Sequence, residues 1–370
     1  MVNRQYNKQP TRVAHIIGKM LAGGVEAVAF NYYRAIDHSK YQFDFYYDAD
    51  STVEPPRELI DLGARFIMLP PYQKLPKYIK ALRQHLGKEK YKIVHSHLNT
   101  LSVFPLYAAW AEHIPVRIAH NHSVPDGNEI GRNTAKRILR CFSKVFSTDY
   151  FACSEKAGRW MFGDKEFDSG KVYLLRNAID FDRFSSSNPD MILSNKLQDK
   201  FVVGHVGRFT YAKNHKFLLE IFDELHKDDP SAVLLLVGDG ELHDIIIDDI
   251  LHRGLEDVVI LTGKVQNPES YYQLCSVLVL PSFFEGLSLT TIESQVAGVP
   301  VVISKAIPSE AVISNGCVYM DLFSDTADKW SETIRRTAKI KVMLNENSKD
   351  YDINIAAKKL ETKYEELLKG

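Results

Sequence analysis

The sequence predicts an α/β protein with two doubly wound parallel sheets, and three observations carry that reading. Apolar runs of strand length alternate with amphipathic stretches of helix length along most of the chain, the pattern of strands covered on both faces by crossover helices. A Ser-rich interruption, Phe184–Pro189, splits the alternation into two halves, and 370 residues suffice for about two domains. The run Ser276–Ser304 reads as strand, loop, helix and strand. Such a unit sets a helix N-terminus at the carboxyl edge of a parallel sheet, where free amides and the helix dipole attract anions.

Residues 1–10 read as a leader, and Arg12–Ile17 is the first expected strand. Gly23 and Gly24 form a paired glycine turn before a helix over Val25–Ile36, without the spacing of a dinucleotide fingerprint. Further strands are expected at Phe43–Tyr47, Arg65–Met68, Ile93–Ser96, Val116–Ala119, Tyr150–Cys153 and Val172–Leu175, short apolar runs between turn formers. Helical periodicity places helices at Pro56–Leu62, Leu75–Lys88, Leu101–Glu112, Asn133–Ser147 and Glu155–Phe162. The second half repeats the scheme, with strands at Phe201–Val206, Val233–Val237, Val258–Leu261, Val277–Leu280, Val301–Ile303 and Cys317–Met320. Its helices are expected at Phe217–Asp228, Glu241–Arg253, Pro268–Gln273, Leu289–Ala297 (stopped by Gly298 and Pro300), Thr326–Val342 and Ile353–Leu368. The expected divisions are 1–184, 185–349 and a terminal helix within 350–370.

Composition is that of a globular protein, 45% hydrophobic and 25% charged, with a formal net charge of −1. That balance gives no sign of a nucleic-acid partner. The four cysteines, Cys141, Cys153, Cys275 and Cys317, form no CxxC pair and lie in or beside apolar runs. They read as buried free thiols of a reducing compartment. The N-terminus has no apolar signal region, and no run approaches the ~20 residues of a membrane span. A cytoplasmic protein is expected.

Chemistry-bearing residues cluster after strands. Glu285 precedes the helix of the organising run and Glu293 lies eight residues later inside it. Together they could hold two ends of a ligand whose phosphates lie between them; alone, each reads as a dipole-friendly loop or helix carboxylate. Gly207, Arg208 and Lys213 follow the first strand of the second half, where Arg208 could grip phosphate bidentately and Lys213 act as a point charge. A solvated basic turn fits those residues equally well. Gly238 and Gly263 sit in two more turns after strands. His95 and His97, and His120 and His122, form two HxH pairs at strand ends. With Asp126 they could make a metal site, but a strand end pointing into a cleft explains them without one, and histidines that titrate freely are expected. Asp48 and Asp50 read as an acidic turn.

The run PSFFEGLSLTTIES followed by AGVPVV resembles the donor-binding signature of glycosyltransferase family 4, and most resembles its bacterial capsular and exopolysaccharide branch. Ser288 stands where many members carry Pro. The resemblance implies a GT-B fold: two Rossmann-like domains facing a cleft, with the terminal helix crossing back to the first. It implies transfer of a sugar, with retention, from a nucleotide diphosphate sugar to a hydroxyl of a glycan or polyprenyl-linked saccharide. A UDP-sugar is favoured, with no cofactor and no metal.

By the same resemblance Arg208 and Lys213 clamp the diphosphate, Glu293 holds the ribose, and Glu285 positions the transferred sugar. Gly23, Gly24, Gly207, Gly238, Gly263, Gly286, Leu287, Ser288 and Leu289 line the donor site. His120 is the histidine near the sugar, with His95, His97, Asn99 and His122 on the acceptor side. Asp180 and Asp182 belong to the linker entry and hold no metal. The rival readings are a nucleotide-sugar epimerase of the same fold and a non-catalytic partner subunit.

The segment Asn133–Ser147 carries one further expectation. Ile138, Leu139, Phe142, Val145 and Phe146 share a helical face, and Lys136, Arg140 and Lys144 form a row beside Arg137. Either the apolar face packs on the sheet, or the helix makes a peripheral, salt-sensitive contact with an anionic membrane at its inner face.

Overall fold

The computed structural model describes residues 9–21, 23–123, 130–186, 188–265 and 267–369, with 130–133 as backbone only. The chain forms two compact units, Met1–Ala178 with Asp350–Gly370, and Ile179–Lys349. Each is an α/β sandwich around a parallel sheet.

The first unit holds β1 (Thr11–Gly18), β2 (Tyr41–Asp48), β3 (Arg65–Leu69), β4 (Ile93–Ser96), β5 (Val116–Asn121), β6 (Asp149–Ala152) and β7 (Val172–Leu174). Their order is β3-β2-β1-β4-β5-β6-β7, every pair parallel. Helices cover both faces, so β2 is buried at all its positions despite its polar Gln42, Asp44 and Asp48. Strand direction reverses its sequence order between β1 and β4, the switch point where such sheets open a crevice at their carboxyl edge.

The second unit holds β8 (Phe201–Val206), β9 (Ala232–Val237), β10 (Val259–Leu261), β11 (Val277–Leu280), β12 (Val301–Ser304) and β13 (Cys317–Met320). They lie in the order β10-β9-β8-β11-β12-β13, again all parallel. The switch point falls between β8 and β11. Trp330, Phe209 and Phe222 fill the core on one face.

Four expectations need correction. The Ser-rich stretch is not where the units divide. Phe181–Ser185 is a helix capped by Asp180, whose side chain accepts from the Arg183 amide. It belongs to the second unit: Phe184 is buried edge-on to Tyr272, Gln273 donates to its carbonyl at 3.1 Å, and Arg183 pairs with Glu269. Serine content misled because capping and turn residues are the same residue types.

The helix expected over Asn133–Ser147 spans Ile130–Cys141 and passes into turns. The helix expected to reach Val342 ends at Thr337. Periodicity continues past both ends, but the backbone leaves the helix where packing no longer requires it. Cys141 is exposed rather than buried, and all four cysteines are free.

The terminal helix Ile353–Leu367 packs within the first unit beside the helix Gly24–Ala35. Its Glu361 carboxylate accepts from the Asp37 amide at 2.7 Å, just past the end of that neighbour, and its Tyr364 is fully buried against Tyr41 and Phe43.

Candidate functional site

In the second unit the turns after β8, β9 and β10 stack on one another. Gly207 N donates to Val237 O at 2.9 Å, Gly238 N to Gly263 O at 3.1 Å, and Phe209 N to Asp239 O at 3.0 Å. The stack is too tight for side chains: a Cβ on Gly238, where φ is 143°, would lie 2.0 Å from the Gly207 carbonyl. Gly238 thus serves backbone approach, and the stacked turns bring the segment carrying Arg208 and Lys213 over the carboxyl edge.

The loop after β11 meets that segment across the switch point. Phe283 N donates to Ala212 O at 2.8 Å, and Tyr211 stacks on Phe283 with centroids 5.0 Å apart. This docking joins Lys213 and Glu285 in a short, mostly buried ion pair, with Ser282 Oγ donating to the same carboxylate oxygen at 3.1 Å. Beyond it the helix Leu289–Val296 starts at Ser288, whose hydroxyl accepts from the Thr291 amide at 3.3 Å. An Ala there would cost about 1 kcal/mol. Thr290 Oγ1 donates to Val206 O, tying the helix to β8.

Glu293 is held by Tyr272, whose hydroxyl donates to Oε2 at 2.5 Å. Burial raises the Glu293 pKa and the Tyr272 bond opposes the shift. Sequence reasoning missed Tyr272, since nothing in YYQL marks which tyrosine reaches a helix elsewhere in the chain. Arg208 lies half exposed, 3.3 Å from Glu241. Gly286, Leu287 and Leu289 complete the turn around Glu285. The donor-type residues of this unit therefore share one edge, with Lys213 and Glu285 in contact.

In the first unit Gly23 caps the helix Gly24–Ala35, and the amides of Leu21 and Gly23 donate to Glu26 Oε1 at 2.6 and 3.0 Å. The chain's own carboxylate thus takes up the anion-attracting amides of this turn. Asp48 is buried, its pKa pushed up to about 6 by desolvation, and Asp50 pairs with Lys19; they form an acidic turn tied to its own unit. Asp126 lies outside the described residues.

The histidines differ most from expectation. His15 and His95 are register partners on β1 and β4, and HxH spacing sends alternate side chains to one face. Five rings therefore meet: His15, His95, His97, His120 and His122, none more than 6% exposed. His95 Nε2 lies 3.0 Å from His120 Nδ1, His97 Nδ1 2.9 Å from His122 Nε2, and His15 Nδ1 2.9 Å from His97 Nε2.

Both nitrogens of His95 and of His97 are spent on protein partners, which corrects their acceptor-side assignment. Asn99 is a backbone clamp, its Oδ1 accepting from the His122 amide at 2.7 Å. Only His120 Nε2 and His122 Nδ1 lack a partner within the cluster. Ring nitrogens of His15, His95 and His97, and of His97, His120 and His122, fall within 4.8 Å of one another. That is close enough for a metal, and the same distances fit hydrogen bonds between the rings. The free titration expected of these histidines is corrected too. Burial lowers His15 to about 3 and His122 to about 4, and holds His95, His97 and His120 well below the ordinary range. The two HxH pairs in neighbouring strands were the available signal, through their period of two.

A doubly wound sheet with a Lys–Glu pair across its switch point and an anion-attracting helix start beside it defines a nucleotide-dependent α/β enzyme. Comparison with known proteins narrows this. The family model described as Glycosyltransferase Family 4 matches residues 22–183, and that described as Glycosyl transferases group 1 matches residues 190–351. EpsF of Bacillus subtilis (strain 168), which carries a glycosyltransferase name, is 30% identical over 343 residues, covering 90% of this chain and 89% of its own.

The chain belongs to the family 4 glycosyltransferases and is a glycosyltransferase. An Escherichia coli relative, UDP-Gal:alpha-D-GlcNAc-diphosphoundecaprenol alpha-1,3-galactosyltransferase, is 22% identical over 319 residues, 82% of each chain. Among solved structures, Anabaena Alr3699/HepE in complex with UDP aligns with a TM-score of 0.73 at 15% identity, covering 96% of this chain and 100% of that one. The fold is thus that of the GT-B transferases.

The buried histidines make stability depend on pH in a defined direction. Unfolded, each takes up a proton near pH 6.5, whereas the folded protein keeps them neutral to about 3 or 4 where a value is defined. The unfolded chain then binds more protons below pH 6.5, and stability falls as pH drops from there; above it both states are neutral and the effect vanishes. Urea melts should therefore show a lower unfolding free energy at pH 5.5 than at pH 7.5, and the buried His205 and His215 of the second unit add to the fall in the same direction. Superimposable melts would show that these rings protonate in the folded protein.

Proposed function

We propose that the enzyme transfers a hexosyl or N-acetylhexosaminyl group, with retention, from a UDP-sugar to a hydroxyl of a polyprenyl-linked saccharide in cell-surface polysaccharide assembly. The observation that carries the donor half is the Lys213–Glu285 pair beside Ser288, with Glu293 held by Tyr272 on the same helix. Arg208 and Lys213 bring positive charge to where a departing diphosphate gains negative charge. Glu285 lies at the same spot, where its carboxylate can accept hydroxyls of the transferred sugar, and Glu293 can accept those of the ribose. In the first unit His120 is kept neutral by burial, and a neutral ring hydrogen-bonds a sugar hydroxyl without adding charge. The diphosphoundecaprenol substrate named for the Escherichia coli relative supports a lipid-linked acceptor.

An acceptor of that kind lies in a membrane. Among the described residues no helix is long and apolar enough to cross one, so the fitting arrangement is peripheral. Of the apolar face that either packs on the sheet or meets a membrane, Ile138 and Val145 are 58% exposed and Phe142 50%, with Leu139 and Phe146 half-buried. Trp110, 51% exposed, and Tyr107 continue this apolar surface through contacts with Phe146. Arg137 and Arg140 lie on the same helix, while Lys144 is engaged by Glu166. Aromatic side chains beside basic ones suit the headgroup region of an anionic leaflet.

Four measurements test this reading. Incubation with a panel of nucleotide sugars and lipid extract should release one nucleoside diphosphate, read by mass spectrometry. Arg208→Ala should then weaken diphosphate binding by about 1.5–3 kcal/mol, and Glu285→Gln should spare binding while abolishing turnover; unchanged calorimetric affinity in the first variant would remove the clamp. Activity should survive excess chelator, and loss reversed by one divalent ion would install a metal at the histidines. In vesicle flotation the protein should rise with anionic vesicles at low salt and not with neutral ones. Lys136→Glu with Arg140→Glu should stay at the bottom while folded, and equal flotation of that variant would leave the exposed face without a membrane role.

A further inference from the structure

We propose that Tyr364 is a positioning residue for the transfer. It joins the five histidines of the first unit into one hydrogen-bonded wire and so fixes which nitrogen of His120 and of His122 carries the proton. The inference rests on the reading above that His120 meets the sugar.

The Tyr364 hydroxyl lies 2.7 Å from His95 Nδ1 and 3.4 Å from His15 Nε2. Two branches leave it. One runs through His95 to His120, ending at His120 Nε2. The other runs through His15 and His97 to His122, ending at His122 Nδ1. Burial keeps every ring neutral, so each imidazole carries one N–H and one lone pair.

The tautomers then follow from counting protons. If Tyr364 donates to His95, that ring must be protonated on Nε2 and donates to His120 Nδ1, leaving an N–H at His120 Nε2. Tyr364 then accepts from His15 Nε2, His15 Nδ1 from His97 Nε2, and His97 Nδ1 from His122 Nε2, leaving a bare lone pair at His122 Nδ1. All five rings are Nε2–H tautomers. If Tyr364 donates to His15 instead, every bond reverses and all five become Nδ1–H, with the lone pair at His120 and the N–H at His122.

The remaining arrangement, with Tyr364 accepting from both branches, strands the hydroxyl proton in the interior, where it has no other partner among the described residues. Asn177 raises the proton affinity of His122, as an acceptor beside that ring does, and so favours the polarity with the N–H at His122 Nδ1.

The two free ends are therefore always opposite in kind, one donor and one acceptor, on rings whose centroids are 3.9 Å apart. Tyr364 touches neither end; it couples them.

The test uses full-length protein labelled with [15N]histidine. Long-range 1H–15N spectra near neutral pH distinguish protonated from bare ring nitrogens, with the other histidines assigned by replacement. All five cluster rings should show one common tautomer and no imidazolium. Tyr364→Phe keeps the ring packed on Tyr41 and Phe43 but removes the junction. Its cluster should show mixed tautomers, with kcat lowered roughly 10- to 100-fold and KM for the nucleotide sugar unchanged.

Mixed tautomers in the wild type would overturn the wire, and this readout stands even if the variant does not fold. A folded Tyr364→Phe with wild-type kcat would overturn the positioning role while leaving the transferase reading intact. A wild type that releases no nucleoside diphosphate would sink that reading instead, with the tautomers still deciding the wire.

Discussion

Every strand in each sheet runs in the same direction, and the chemistry of the chain depends on that constraint. A parallel sheet sends all its post-strand turns to one edge, so residues far apart in sequence meet there without a binding loop of their own. Lys213 and Glu285, separated by β9, β10 and β11, touch because β8 and β11 are neighbours. His15 and His95 lie side by side because β1 and β4 are neighbours. The glycine at Gly238 follows from the same geometry, since turns leaving one edge pack backbone against backbone there.

The two edges solve different electrostatic problems. In the second unit, opposite charges are placed in contact and left partly exposed, which suits a ligand carrying both phosphate and hydroxyl groups. Within the histidine cluster of the first unit five imidazoles are enclosed, and burial keeps them neutral. A neutral imidazole meets its hydrogen-bonding needs with one donor and one acceptor, so rings in a row satisfy one another. This arrangement avoids the cost of unpaired polar groups in a dry interior, and it makes the terminal helix part of the first unit's chemistry through Tyr364.

The exposed face of the helix Ile130–Cys141 follows another logic. The amphipathic pattern of this helix and the turns after it is that of a packed helix, yet Ile138 on the helix and Phe142 and Val145 beyond it lie outside the core. Hydrophobic periodicity reports that a face needs cover, and does not say whether the cover is the protein's own sheet or another phase.

The sequence by itself determined the alternation of strands and helices, the parallel sheets, the family signature around Glu285 and Glu293, and the turns carrying Arg208 and Lys213. These are local patterns, written in periodicity and in residue types that only certain turns accept. Tertiary structure decided the rest: Phe184 joining the second unit, Tyr272 holding Glu293, Glu26 closing the Gly23 turn, and His95 and His97 lying inside a wire ending at His120 and His122. Each of these depends on which strands become neighbours and on which side chains the sheet encloses. A burial-driven pKa or a shared proton exists only once distant segments have been brought within hydrogen-bonding distance, and no spacing along the chain encodes that distance.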